Sequence, residues 1–143
     1  MSNGGYNIAA KKQMDGDFNG ASLDLRLLLV KSGYVYNPDH QFVSDLTPGS
    51  NELSGTGYSR KTLTGKATSQ DNTNDRAELD CDDVTFTGIN AGTAIAAVVF
   101  VQVTNDSDSW LVGYYDEGGF PFATNGGNLT LQVNSEGLVQ VQV

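Results

Sequence analysis

Cysteine is nearly absent from this chain. Cys81 stands alone, so no internal disulfide can form and stability must come from packing or assembly. Histidine and tryptophan are as scarce, with one of each. A lone His40 and a lone Cys81 cannot supply the ligand set of a zinc site. Bases are few, 8 Lys and Arg against 17 Asp and Glu, for a net charge of −9. Only Lys11-Lys12 and Arg60-Lys61 are adjacent, whereas gripping phosphates takes clustered cations, so no nucleic-acid partner is expected. The longest apolar run, Ala94 to Val101, is far too short to span a bilayer, so no membrane partner is expected either. The opening Met1-Ser2-Asn3-Gly4-Gly5 lacks a basic segment followed by an apolar one, which reads as a soluble protein made in the cytoplasm without a secretory leader.

Hydrophobic residues make up 38% and charged residues 17%, both low, and the balance is Gly, Ser, Thr, Asn and Gln. That composition belongs to a β-rich, turn-rich chain rather than a helical bundle or a disordered one. At 143 residues one core-forming domain is expected, residues 21–143, preceded by a Gly- and Asn-rich arm, residues 1–20. In the arm, Asn7 to Met14 predicts a short helix that Asn7 itself could cap, stopped by Asp15-Gly16-Asp17.

Leu23 to Val30 predicts a strand that begins alternating and ends buried. A long loop, Gly33 to Pro48, follows, with a helical turn at Gln41 to Leu46. Tyr58 to Thr64 and Lys66 to Gln70 read as strands around a bend at Gly65, and Ala77 to Asp80 and Val84 to Thr87 as short edge-like strands. Ala94 to Val101 has no polar alternation, so both of its faces need cover from a helix, a loop or a neighbouring chain. Trp110 to Tyr115 is its return strand, and Leu129-Leu131-Val133 and Val139-Val141-Val143 alternate cleanly. The expected fold is all-β, an antiparallel β-sandwich of jelly-roll or Greek-key type with an N-terminal arm carrying a short helix.

Chemistry is thinly represented. Asp80 and Asp82 flank Cys81 and oppose its ionisation, the reverse of what a nucleophile needs, and His40 lies in the loop Asn37-Pro38-Asp39-His40-Gln41. The acids cluster in turns, where Asp is a favoured turn former, and one Trp is little for a sugar-binding cleft. No catalytic residue, cofactor or metal is assigned. Asp71, Thr73, Asp75 and Asp82 imitate the ligand spacing of a calcium loop, but Arg76 stands where the sharp turn wants Gly, and a strand follows instead of a helix. Ser54-Gly55-Thr56-Gly57 lacks the Lys-Ser/Thr continuation of a phosphate loop and reads as a glycine-rich turn.

The most specific string is Asp71-Asn72-Thr73-Asn74-Asp75-Arg76-Ala77-Glu78-Leu79-Asp80-Cys81-Asp82, after Ser54-Gly55-Thr56-Gly57-Tyr58 and before Asp83-Val84-Thr85-Phe86. This arrangement resembles a family of small virion structural proteins of tailed bacteriophages, from about Leu25 to Tyr115. The resemblance implies a non-enzymatic virion protein. Its implied role is capsid decoration (cement), with the major capsid protein and further copies of the chain, as a homotrimer, for partners. A tail, collar or fibre-attachment component is the alternative, and a host-glycan-binding module a further one. Aromatic and apolar residues in weakly structured segments are the candidate interface: Tyr6, Ile8, Met14 and Phe18 in the arm, Tyr34, Tyr36 and Phe42 in the long loop, and Phe120 and Phe122 around Pro121. The bland reading of each is that it fills the chain's own core.

Overall fold

The computed structural model describes residues 3–142 and is all-β, built from antiparallel strands. In chain order these are β1 (Gly4–Gly5), β2 (Leu25–Val30), β3 (Lys61–Thr62), β4 (Ala67–Asp71), β5 (Arg76–Asp80) and β6 (Val84–Phe86). Then come β7 (Thr93–Ala94), β8 (Ala96–Val101), β9 (Trp110–Tyr115), β10 (Phe122–Ala123), β11 (Leu129–Leu131) and β12 (Val139–Gln142). Two helices, α1 (Asn7–Asp15) and α2 (Pro48–Asn51), and a 3₁₀ turn at Val43–Leu46 lie between them. Among the described residues no helix is long and apolar enough to cross a membrane.

The central sheet runs β1-β9-β8-β2-β3. β2 and β8 pair along their whole lengths, from Leu25 opposite Val101 to Val30 opposite Ala96. Successive side chains point to opposite faces, so these continuous apolar strands feed two cores. Leu25, Leu27 and Leu29 join Ala97, Val99 and Val101 on one face. Leu28 and Val30 join Ala96, Val98 and Phe100 on the other. The cover expected for Ala94 to Val101 comes from the chain itself. Tyr6, Tyr34, Val43 and Leu46 close the second face. The first is met by three small sheets, β12-β5-β4, β11-β6 and β10-β7, which contribute Leu79, Phe86, Ala94 and Leu129. This second layer is in pieces, and the sandwich does not close.

Several boundaries differ from the sequence reading. The run at Ala94 to Val101 breaks at Ile95, because the chain changes partners there: β7 pairs with β10, while β8 pairs with β2 and β9. β5, read as edge-like, is the middle strand of its sheet. Asn7 does not cap α1. Tyr6 holds the cap position without a side-chain bond, and Asn7 instead ties the helix to the long loop, its Nδ2 donating to Asp39 at 2.8 Å. Gly16, left-handed at φ 81°, ends the helix as its sequence position suggested.

The described part of the expected arm is no appendage. β1 pairs with β9, Gly4 opposite Tyr114 and Gly5 opposite Gly113, and the Tyr6 N–H donates to Val112 O at 3.3 Å. Tyr6 is only 2% exposed, and Ala9 of α1 is buried too. Near the same sheet Arg60 forms a two-sided fork, to Glu52 at 2.8 and 2.9 Å and to Asp106 at 2.6 and 3.0 Å, with its guanidinium over the Phe100 ring. These charge-assisted pairs tie together the segments around Glu52, Arg60 and Asp106.

Candidate functional site

The incomplete second layer leaves a cleft of about 910 Å³. Leu27, Ala97 and Tyr115 reach it from the central sheet, from β2, β8 and β9. Leu63, Cys81, Val84 and Phe120 contribute further apolar lining, and the run from Thr130 to Leu138 forms the facing wall. Asn3, Glu117 and Gln140 add polar groups. The Tyr115 hydroxyl crosses the gap and donates to Leu138 O at 2.7 Å, the one side-chain bond between the layers among the described residues lining the cleft. Burial, and next the Cys81 thiol, push the Tyr115 phenol far above its ordinary value, so it donates throughout the physiological range. Gly113 makes room for this ring: a Cβ there would come within 2.5 Å of the Tyr115 hydroxyl oxygen.

The residues considered for catalysis do not meet. Cys81 belongs to the core on the cleft side of the central sheet, 8% exposed. His40 accepts or donates at 3.1 Å to the hydroxyl of Tyr34, which belongs to the core on the opposite side. Burial first, then Asp80, Asp82 and Asp83, raise the thiol to about 11, so it is protonated at neutral pH and unfit as a nucleophile.

The calcium-like spacing also dissolves in three dimensions. β4 and β5 form a hairpin with Asp71 opposite Arg76 at its tip and Ala67 opposite Asp80 at its base. Four strand steps of ~3.3 Å place Asp71 about 13 Å from the base, beyond which Asp82 follows. One ion cannot bridge them. Asp71 accepts from Thr73 N, Asn74 N and Asn74 Nδ2, at 2.9, 3.2 and 2.7 Å, and these donors, Asn74 Nδ2 first, hold its carboxyl below the usual range. Asp75 takes the left-handed turn position at φ 53°, which Asp tolerates. Asp82 instead accepts from Thr64 Oγ1 at 3.1 Å. Asp106 is engaged by Arg60, and Asp108 accepts from Thr104 N and Asn105 N. Among the described residues no three His, Cys, Asp or Glu side chains gather as an ion requires. The Ser54-Gly55-Thr56-Gly57 segment is a backbone contact. Asn90 N donates to Thr56 O at 2.8 Å, and at Gly57, φ 75°, a Cβ would lie 2.5 Å from Gly88 O.

The candidate interface residues fall into distinct groups. Tyr6 and Tyr34 are core residues, their hydroxyls 2.9 Å apart. Tyr36 stacks on Tyr114 with ring centroids 5.0 Å apart and donates to Gly5 O. Ile8 is half-buried against both cores. Phe18 packs edge-on against Trp110 at 5.6 Å, and Phe42 bridges the Trp110 backbone. Phe122 packs against the cleft-side core, and Phe120 lines the cleft. Met14 alone of the nine stands free, 89% exposed. Sequence reasoning did not find the cleft itself. Its one signal was the alternation Leu129-Leu131-Val133, whose last two members pack against the core yet stay half-buried at the cleft wall.

No family model matches this chain, and no curated protein matches it.

Proposed function

We propose that this chain is a non-enzymatic structural component of a bacteriophage virion. Within the virion it acts as a capsid decoration (cement) protein that binds the assembled shell through the major capsid protein. The observation that carries the reading is the string Asp71 to Asp82, with Ser54 to Tyr58 before it and Asp83 to Phe86 after it, and its likeness to small virion proteins. A mechanical use of that string is supported by how its polar groups are engaged. Asp71 shapes a hairpin turn, and Arg76 pairs with Glu78 at 2.7 Å and with Asp71 at 3.5 Å. Added contact area is the whole mechanism, and a standard interface of ~1,600 Å² suffices for stable attachment. The homotrimer rests on the resemblance alone, since the apolar run Ala94 to Val101, read as needing cover on both faces, is covered from within.

Imaging of purified particles with and without the gene product tests the reading. Loss of density from the capsid surface is expected. Loss of a tail or collar feature would overturn the head assignment, and free protein retained on host cells would favour glycan binding. His40→Ala and Cys81→Ala should leave incorporation intact. A polysaccharide-cleaving activity that vanishes with either substitution would overturn the non-enzymatic reading.

A further inference from the structure

Under the N-terminal segment three polar atoms form a chain. The Tyr6 hydroxyl lies 2.9 Å from that of Tyr34, which lies 3.1 Å from His40 Nδ1. Each phenol brings one hydrogen, and counting hydrogens fixes the direction of the two bonds. With Nδ1 bare, Tyr6 donates to Tyr34, Tyr34 donates to His40, and neither hydrogen is stranded. With a hydrogen on Nδ1, the ring donates to Tyr34, Tyr34 must donate to Tyr6, and the Tyr6 hydrogen is left over. Among the described residues the Tyr6 oxygen has no hydrogen-bond partner besides Tyr34. The neutral ring therefore carries its hydrogen on Nε2, and a proton taken from solvent adds to Nδ1. His40 is half-buried, whereas Tyr6 and Tyr34 are 2% and 4% exposed, so the proton arrives near the surface and its cost falls in the core. Turning the charged ring away does not avoid that cost. Tyr34 then loses its acceptor, and one phenolic hydrogen is again stranded.

The charged groups around the ring pull the other way. Asp45 of the 3₁₀ turn attracts the imidazolium, although its carboxylate already accepts from Gln41 N and Phe42 N at 2.8 and 3.0 Å. Asp39 of the long loop is bonded to Asn7, and Lys11 of α1, which shares a small groove with them, is held by Asp15. β9 contributes Tyr114, packed on Tyr34 and stacked on Tyr36, with Asp116 acting on it. Asp39 and Asp45 are exposed, so solvent screens their attraction to roughly threefold. A buried donor without an acceptor costs about tenfold or more. The stranded hydroxyl wins.

Tyr6 is also where the N-terminal segment is pinned. Its N–H bonds to Val112 O, β1 before it holds the edge of β9 by two residues, and the Asn7 N–H after it bonds to Pro38 O. A stranded Tyr6 hydroxyl reaches water only when this segment lifts. We infer that the chain Tyr6–Tyr34–His40 is a pH-sensitive latch: the neutral imidazole holds β1 and the first turn of α1 on the central sheet, and its protonation loosens them. The hold is complete while the ring is neutral and weakens as pH falls through the range in which imidazoles titrate. This inference goes beyond the virion reading and does not rest on it, because it concerns the isolated protein.

Amide hydrogen exchange at Tyr6 and Asn7 reads the opening of the segment once the intrinsic pH dependence of exchange is divided out. Between about pH 8 and about pH 5 the opening should become about tenfold more populated. His40→Asn puts an acceptor that does not titrate in the place of Nδ1 and should abolish the rise. Tyr6→Phe combined with Tyr34→Phe keeps the titrating ring, leaves no hydroxyl to strand, and should abolish it as well. A wild-type opening that stays constant would overturn the inference, as would one that falls on acidification because Asp39 and Asp45 prevail. An undiminished rise in His40→Asn would assign it to the carboxylates, and one in the double phenylalanine variant to the charge of the ring alone; either result overturns the latch. A hydrogen found on Nδ1 of the neutral ring by nitrogen chemical shift would refute the direction of the bonds. Particle imaging can fail while this experiment succeeds, and the reverse, so the two readings are separable.

Discussion

The two faces of one sheet are covered in different ways. One is covered by a 3₁₀ turn and by tyrosines from the N-terminal segment and the long loop, and it is sealed: the hydroxyls of Tyr6 and Tyr34 bond to each other, His40 joins them, and Tyr36 stacks on Tyr114. The other is covered by strands, and it gapes by about 910 Å³. Loops adapt residue by residue to a twisted surface. Short strands must also keep their own ladders, and three small ladders cannot follow one twisted sheet everywhere. The better-ordered covering elements thus give the less complete cover.

The largest effect should come from removing the seal. Deleting residues 3–18 strips Tyr6 and Ala9 from the cores and unpairs the edge of β9, so the chain should lose its cooperative urea transition. Tyr6→Ala alone should cost about 3–4 kcal/mol, as large-to-small core changes do. A truncated chain with an unchanged transition would show that the segment is dispensable cover. A matched pair sharpens the contrast: Leu28→Ala on the sealed face should cost about 3 kcal/mol, and Leu131→Ala beside the cleft about 1 kcal/mol. Equal costs would mean that the cleft closes in solution.

Next in size is the Arg60 fork. Arg60→Ala leaves Glu52 and Asp106 without their cation, and about 2 kcal/mol should be lost, below the cost at a fully buried pair because Asp106 is partly exposed. Arg26→Ala removes a solvent-facing pair with Asp24 and should change stability by less than about 0.5 kcal/mol.

Alkali should strain both faces. Burial, and then the bond to Tyr34, raise the Tyr6 phenol, and burial raises Tyr34 and Tyr114 first among causes. On the open face burial raises Cys81 to about 11 from 9.0. A raised acid favours the folded state fully below its unfolded pKa and loses that contribution as pH climbs through the folded one. Urea midpoints should therefore hold to about pH 8, fall by the equivalent of about 2 kcal/mol by pH 11 through the thiol, and fall further as the phenols ionise. Cys81→Ala should remove the first part of that decline; a decline unchanged by the substitution would refute the thiol's share.

Strand positions were legible in the sequence wherever a periodic run met a turn signal. Leu25 to Val30, Trp110 to Tyr115 and the stop at Gly16 all follow from local rules. The demand for cover on both faces of Ala94 to Val101 was legible too, but not its source. Which segment returns to cover a strand is a long-range choice, and Tyr6 in a polar, glycine-rich stretch gives no local hint of burial. The break at Ile95 and the cleft were hidden for the same reason. Alternation at Leu129-Leu131-Val133 states that one face is apolar and leaves open whether anything lies against it.

The smallest expected effect isolates docking from folding. Of the nine residues proposed as contacts, Met14 is the one whose side chain the fold leaves almost wholly in solvent, at the last turn of α1. Its truncation creates no cavity and unpairs no polar group, so Met14→Ala and Met14→Glu should each change stability by less than about 0.5 kcal/mol. Any loss of particle occupancy in these variants then belongs to the interface, because the folded population is unchanged. Tyr6→Ala cannot make that distinction: it opens the sealed face and lowers occupancy through folding alone. Full occupancy with Met14→Glu would remove the α1 end from the docking surface.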